Sequence, residues 1–408
     1  MAERMQAAAL GSSAGAPGVN FKVIDVDTHL SEPEDLWTKR APAKFKDRVP
    51  QIGTVDGRVS WVINGNHAIG LGASASSVFH KDGRTSAGIE FAEWRNADVI
   101  PASYDAHARV ALMDEAGIYA QIVYPNVMGF GGQNTAGVDP ELRLVSTQIY
   151  NDAMVELQEE SGGRLIPMAT LPWWDVDAAV KEAKRAHTNG LHGININSDP
   201  HKHRDSSGRP LPDLGVEYWN PLWEICESLD LPINFHIGAS EQSMDWIGTA
   251  GWPSLSVNHR SGLAGSMMFL DNGRVIGNLI YSGLLDRFPK LKFVSVESGI
   301  GWVPFVMESL DYQFSSLIKK SNLSRRPSEY FRRNFYACFW FEKRDISHVI
   351  QEVGVDNCMF ETDFPHIVCL HPRPLEYVKD GLAKLDGPAR EKVMSANAAR
   401  VYNIDLSA

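Results

Sequence analysis

Cysteine is scarce in this chain. Its four thiols, Cys226, Cys338, Cys358 and Cys369, show no CxxC spacing in 408 residues. Neither a thiolate metal site nor a disulfide framework is therefore the organising feature. Cys226, Cys338 and Cys358 sit in apolar stretches and read as reduced core thiols, as expected of a cytoplasmic protein. Long apolar runs are also missing, since nothing approaches the roughly 20 residues that span a bilayer. Positive charge is in deficit, 39 Lys and Arg against 50 Asp and Glu for a net charge of -11. That balance argues against non-specific binding to nucleic acid or anionic membranes. No GxGxxG follows the first strand-like run, so a dinucleotide fold has little support. Residues 1–20 hold one short apolar piece, then Gly, Ser and Pro. The piece is too short for a signal-peptide core, and the stretch reads as a disordered tail.

The remaining residues, 21–408, alternate short apolar β-rich runs with amphipathic helices. The runs are 22–27, Tyr119–Tyr124, Leu165–Leu171, Gly193–Asn197, Ile233–Gly238, Leu291–Glu297, Phe335–Phe341 and Cys358–Glu361. Helical patterns at Asp139–Glu159, Val176–Thr188, Trp219–Leu229 and Trp302–Tyr312 lie between some of them. Eight continuous apolar strands alternating with helices predict a parallel sheet, and eight units suit a single (β/α)8 TIM-barrel domain. A doubly wound open sheet is the competitor. Residues 50–100 break the rhythm. Val59–Ile63 followed by Asn64-Gly65 predicts a hairpin, within an insertion after the first strand that covers the barrel mouth.

Catalytic groups of such barrels sit at the C-terminal ends of the strands. The first strand reads Val-Ile-Asp-Val-Asp-Thr-His over 23–29, and a period of two places Asp25, Asp27 and His29 on one face. The fifth ends in Asn234-Phe-His236, the sixth in Glu297, the eighth in Glu361-Thr-Asp363-Phe-Pro-His366. Histidines and acids converging from four strand ends are costly to bury unless paired or metal-bound. A lone His236 would read as a core histidine; in this company it reads as a ligand.

The order of these motifs resembles the amidohydrolase-related family, which includes aminocarboxymuconate-semialdehyde and resorcylate decarboxylases. The resemblance runs from about residue 22 to 403 and rests on VIDVDTH, FHIG at 235–238 and ETDFPH at 361–366. It implies a distorted (β/α)8 barrel holding a divalent metal by Asp27, His29, His236 and Asp363. Two departures stand out. Asp27 occupies a position where many members have His, and Glu297 one where the decarboxylases place a histidine acid or base. The GININ strand also lacks the lysine that bridges two metals in binuclear hydrolases. HLSEPEDLW, YPNVMGF and VESGIGW are similar to a long branch of the family with a nonheme di-iron centre and CoA-linked substrates. A dimer is likewise implied by the resemblance.

A site with a few imidazoles and several carboxylates suits Fe or Mn, with Zn a further alternative. The first reading is a di-iron monooxygenase. Asp27, His29, His236, Glu297 and Asp363, with Glu32 or His366, would hold two irons that activate O2 for an apolar substrate, an acyl-CoA among the candidates. The second is a hydrolase or decarboxylase on one metal, with Glu297 or His366 as the catalytic proton shuttle. The third is a barrel that binds a ligand without chemistry. Glu342 and His259 are further candidates to reach the mouth. His201 and His203 read as solvated loop residues, and Lys319, Lys320, Arg325, Arg326, Arg332 and Arg333 as an exposed surface more than a phosphate site. Trp173, Trp174 and Trp340 read equally as pocket or core. Arg109 falls in a helix ending at Gly117.

Overall fold

In the computed structural model the described residues are 20–69, 77–318 and 323–407. The expected tail at 1–20 lies outside them except for Asn20, as do Lys319 and Lys320. β1 (Ile24–His29), β5 (Ala120–Tyr124), β6 (Leu165–Pro167), β7 (Ile194–Asn195), β8 (Ile233–His236), β9 (Phe293–Val296), β10 (Phe335–Phe339) and β11 (Cys358–Phe360) each coincide with one of the eight apolar runs. They form two parallel ladders, β1–β5–β6 and β7–β8–β9–β10–β11. Single parallel bridges, Ala169 to Ile194 and Thr28 to Phe364, join the ladders into one ring. The second seam is held by His29 N to Phe364 O and by Asp363 N to Asp27 O, both 2.8 Å. Closing the (β/α)8 barrel is thus what brings the ends of its first and last strands together.

Two apolar layers follow from the alternation of strand side chains. Ile24, Val26, Ile122, Met168, Val294 and Met359 fill the interior. Val123, Leu165, Phe235, Phe293, Phe335 and Phe360 face the helices. Two of the expected helices begin on side-chain caps: Asp139 accepts from Leu142 N and Asp175 from Ala178 N. Helix 106–116 ends on Gly117 at φ 76°, as expected. Among the described residues, no helix is long and apolar enough to cross a membrane.

β1 departs from the expected period. Asp25 pairs with Gln121, but Thr28 pairs with Val123, so β1 carries one extra residue over this stretch. A bulge of this kind re-aims the side chains after it. Val26 stays in the interior layer, and Asp27 and His29 join the polar cluster at the mouth. Asp25 takes the opposite side, beside Gln121 and Thr362. The expectation that Asp25, Asp27 and His29 share one face is therefore corrected.

Within 50–100, β2 (Gln51–Val55), β3 (Arg58–Ile63) and β4 (His67–Ile69) form an antiparallel meander. Its first turn is Asp56-Gly57 at φ 50° and 77°, the two left-handed residues a tight hairpin needs. Trp61 of β3 stands edge-on to Trp37, with ring centroids 5.5 Å apart. Beyond it, Val78 N donates to Pro365 O at 3.1 Å, and Phe79 stacks on Phe364 at 5.5 Å.

Candidate metal centre

β1, β8, β9 and β11 end in polar groups that converge in the mouth. Two overlapping sets of donor atoms each lie within 4.8 Å: Asp27, His29, His236 and Glu297, and His29, Glu297, Asp363 and His366. His29 Nε2 is 3.1 Å from His236 Nε2, 3.5 Å from Asp27 Oδ1 and 3.7 Å from Asp363 Oδ1. His236 Nε2 is 3.5 Å from Asp27 and 3.4 Å from Glu297 Oε2.

Neighbours set which nitrogen each ring presents. His29 Nδ1 donates to Pro125 O at 3.3 Å and His236 Nδ1 to Ile237 O at 2.8 Å. Both Nε2 lone pairs therefore face the same point, the arrangement second-sphere partners impose on metal histidines. Neither carboxylate oxygen of Asp27 accepts a hydrogen bond, although Asp27 is fully buried. Unpaired buried carboxylates aimed at two imidazole lone pairs fit a divalent cation and little else.

Electrostatics agree with one shared positive charge. Burial, then His366 and His236, holds His29 well below its ordinary value. Burial opposes charge on His236 most strongly, but Asp27, Glu297 and the Ile237 carbonyl together outweigh it and the net shift is upward. Burial, then Asp27, raises Asp363. Burial, then Asp363, raises Glu297. Glu297 and Asp363 also adopt left-handed backbone at φ 51° and 60°, a strain of about 1–3 kcal/mol per residue that only a constraining environment maintains. Glu361 supplies part of it, since Oε2 accepts from Glu297 N at 3.2 Å.

His366 lies in the same cluster, stacked on His29 at 3.8 Å between centroids. Its Nε2 donates to Asn126 Oδ1 at 2.9 Å. That amide is oriented by its own Nδ2 bond to Leu30 O at 2.7 Å. His366 Nδ1 is left 2.9 Å from Asp363 Oδ1, and burial pushes the ring down to about 4.

Glu32 is corrected. It belongs to neither donor set, and its Oε1 accepts from the backbone N of Asn126 at 2.8 Å and of Val127 at 3.1 Å. Proximity in sequence to His29 suggested a ligand; the carboxylate instead pins the loop after β5. Glu342 does a similar task, accepting from Ile300 N at 2.6 Å and Gly301 N at 3.2 Å. His259 is exposed and bonds Ser256 at 2.9 Å near a helix start. His203, expected to be solvated, packs on Trp173 at 4.8 Å, whereas His201 is exposed. Arg332 and Arg333 bond the carbonyls of Glu352 and Leu285. They precede β10 and so sit at the barrel end opposite the mouth, where they cannot hold a substrate phosphate.

Several residues support the cluster in ways the sequence did not indicate. Phe130 packs its ring 4.2 Å from His236 and 4.9 Å from His29. Gly131 allows that approach, because a Cβ there would lie 2.4 Å from Ala239 O. Asp25 accepts from Thr362 N at 2.8 Å, Thr362 Oγ1 at 2.6 Å and Gln121 Nε2 at 3.0 Å. Buried Arg109 bonds Gln121 Oε1 at 3.2 Å and His29 O at 2.7 Å.

Comparison with known proteins places this geometry. A gamma-resorcylate decarboxylase of Polaromonas sp. strain JS666 is 28% identical over 270 residues, 63% of this chain and 76% of that one. The crystal structure of an amidohydrolase from Mycobacterium avium subsp. paratuberculosis K-10 superposes with a TM-score of 0.73 at 23% identity, covering 96% of this chain and all of the other. A dihydroxybenzoic acid decarboxylase from Polaromonas sp. JS666, solved with manganese and 2-nitroresorcinol, gives 0.62 at 19% identity over 94% of this chain and 97% of that one. The family model described as amidohydrolase, Amidohydro_2, matches residues 24–404. The chain belongs to this amidohydrolase family.

Proposed function

We propose that this protein is a metal-dependent decarboxylase of a small aromatic carboxylate. The observation that carries the reading is a division within the cluster. Asp27, His29 and Asp363 are fully closed off and His236 is 2% exposed, whereas Glu297 keeps 7% and His366 8%. The closed four would hold the ion, and the other two face the substrate. The gamma-resorcylate decarboxylases among the relatives support the substrate class and weigh against the oxygenase expected first. Manganese in solved members of the fold supports a divalent ion.

Asp27, His29, His236 and Asp363 would hold a divalent cation, which would supply positive charge against a substrate oxygen. Phe130 offers an apolar face to an aromatic ring and keeps water from the histidines. In decarboxylation the bond from ring carbon to carboxylate breaks, its electron pair stays on the ring, CO2 leaves and the carbon takes a proton. Glu297, as the carboxylic acid nearest the mouth, delivers that proton and is recharged from water. His366, its Nε2 proton held by Asn126, lies beside Asp363 on the substrate side as a neutral ring.

The test is CO2 release from dihydroxybenzoates by manganese-loaded protein. Glu297→Gln should lower the rate about 10²–10⁴-fold, the range for a general acid. A wild-type protein that releases no CO2 from any of them, or a Gln variant at full rate, would sink the proposal. A second reading is favoured by one feature: the two donor sets share His29 and Glu297 and together bring three imidazoles and three carboxylates. That many oxygen-rich donors suit two irons and a dioxygen-dependent hydroxylation. Elemental analysis separates them. About one ion per chain matches the single Lewis-acid site; two irons with substrate-dependent O2 uptake match the oxygenase.

A further inference from the structure

Beside the metal centre, behind the loop that carries Phe130, lies a cavity of about 390 Å³ lined by Arg143, Trp173, Trp174, His203 and Arg204. The elements that form it follow β5, β6 and β7, so it opens on the same end of the barrel as the cluster. Arg143 is the unusual member. It is 5% exposed, its guanidinium carbon lies 3.6 Å from the Trp174 ring centre and 4.8 Å from that of Trp173, and its one side-chain bond is to Thr135 Oγ1 at 3.4 Å. Among the described residues no carboxylate pairs with it, and Nη2 has no hydrogen-bond partner. Burial with no compensating charge pushes it down to about 9.

A buried cation without a partner is expensive, and Trp173 Nε1 beside it is also without a hydrogen bond, whereas His203 Nε2 faces Glu241 Oε2 at 3.8 Å. The acid in the wall does not serve them. Asp205 accepts from Ser207 N and Oγ and from Arg209 N and Nε at 2.7–2.9 Å. Arg143 and Trp173 Nε1 thus line a space walled by two indoles and by Ala136, Val138 and Pro140. We infer that this cavity is an organic-anion site, in which Arg143 and Trp173 Nε1 bind a carboxylate whose aromatic or aliphatic body lies against the tryptophans. The inference stands on these residues and not on the chemistry of the metal centre. The carboxylate belongs either to a second acidic group of the substrate or to a separate organic acid.

Benzoate is the probe, and thermal stability and tryptophan fluorescence are the readouts. Benzoate should raise the melting temperature of the full-length protein and perturb its indole emission. Arg143→Met should weaken binding at least about tenfold, as loss of a charge-assisted bond implies, and Trp173→Phe should weaken it less. Without benzoate, Arg143→Met should melt no lower than wild type, because it removes an unpaired buried charge; an arginine serving only as packing would lower it. His236→Ala, stripped of metal, should keep benzoate binding. Benzoate that leaves wild type unchanged, that binds Arg143→Met equally, or that needs His236 and metal, overturns the site. Competition then assigns the source: displacement of 2,6-dihydroxybenzoate means the pocket holds part of the substrate, and simultaneous binding means a second acid.

Discussion

Asp25 touches no candidate ligand atom, yet it ties two of the strands that present them, β1 and β11, to their neighbour β5. Its carboxylate takes two bonds from Thr362, next to Asp363, and one from Gln121. Gln121 in turn meets Arg109, which holds the carbonyl of His29. Removing outer partners of this kind typically lowers metal affinity about 10–100-fold. Asp25→Ala should therefore weaken manganese binding by that factor, measured by competition with a chelator. An affinity equal to wild type would mean that the donor set is held without this network. Glu32 makes a different point at the same scale. Burial, opposed by backbone donors, raises its carboxyl to about 7 from 4.5. The folded state therefore keeps a proton between those values that the unfolded chain gives up. The associated stability is complete below about 4.5 and is lost as pH rises through 7. Each pH step of one over which the two states differ by a full proton is worth about 1.4 kcal/mol. Relative to wild type, Glu32→Gln should therefore gain about 2 kcal/mol between pH 5 and 7.5. Chemical denaturation at several pH values reads it directly, and a gap that stays constant or narrows contradicts the assignment.

At the scale of elements, the eight strands were readable because each is buried on both faces and so appears as an unbroken apolar run. That Asp27, His29, His236 and Asp363 would cluster was readable because strand ends are where such a barrel tolerates polar groups. The β1 bulge was not. It is defined by pairing with β5, and a period of two within β1 alone sends Asp25 to the wrong side. Glu32 failed for a related reason, since sequence distance from His29 says nothing about the two backbone N–H groups that capture its carboxylate. Arg143 carried no pattern at all; its meaning comes from the absence of a partner in space. The Phe130 loop joins both cases. Its glycines at 129, 131 and 132 are buried, Gly131 against the chain that follows β7 and β8. A methyl at Gly131 would meet the backbone oxygens of Ala239 at 2.4 Å and Ile196 at 2.8 Å, and backbone atoms yield poorly. Gly131→Ala should destabilise by about 1–3 kcal/mol through overpacking and pull Phe130 off the histidines. Thermal unfolding measures the first effect and weaker retention of an aromatic ligand the second. A variant as stable as wild type would show that the loop moves freely.

For the molecule as a whole, the position of the cluster matters more than its composition. Asp27 and His29 end the first barrel strand, Asp363 follows the last, and the seam between them has one bridge and two backbone bonds. Three buried carboxylates press on that seam, and Asp27 and Asp363 each raise the cost of ionising their neighbours. A cation there would join the two ends of the barrel and cancel their repulsion. Binding to the folded state alone stabilises by about 2.7 kcal/mol at a concentration one hundred times Kd. Chelation should therefore lower the melting temperature, and amide exchange should rise first along β1 and β11. Asp27→Asn separates a metal site from a merely hydrogen-bonded cluster. Stripped of metal, it should melt at or above stripped wild type, because one of three crowded acids is gone. Given manganese, it should gain little, while wild type rises past it. If stripped Asp27→Asn melts lower than stripped wild type and both respond equally to the ion, then Asp27 serves the fold through bonds of its own, and the cation must be held elsewhere.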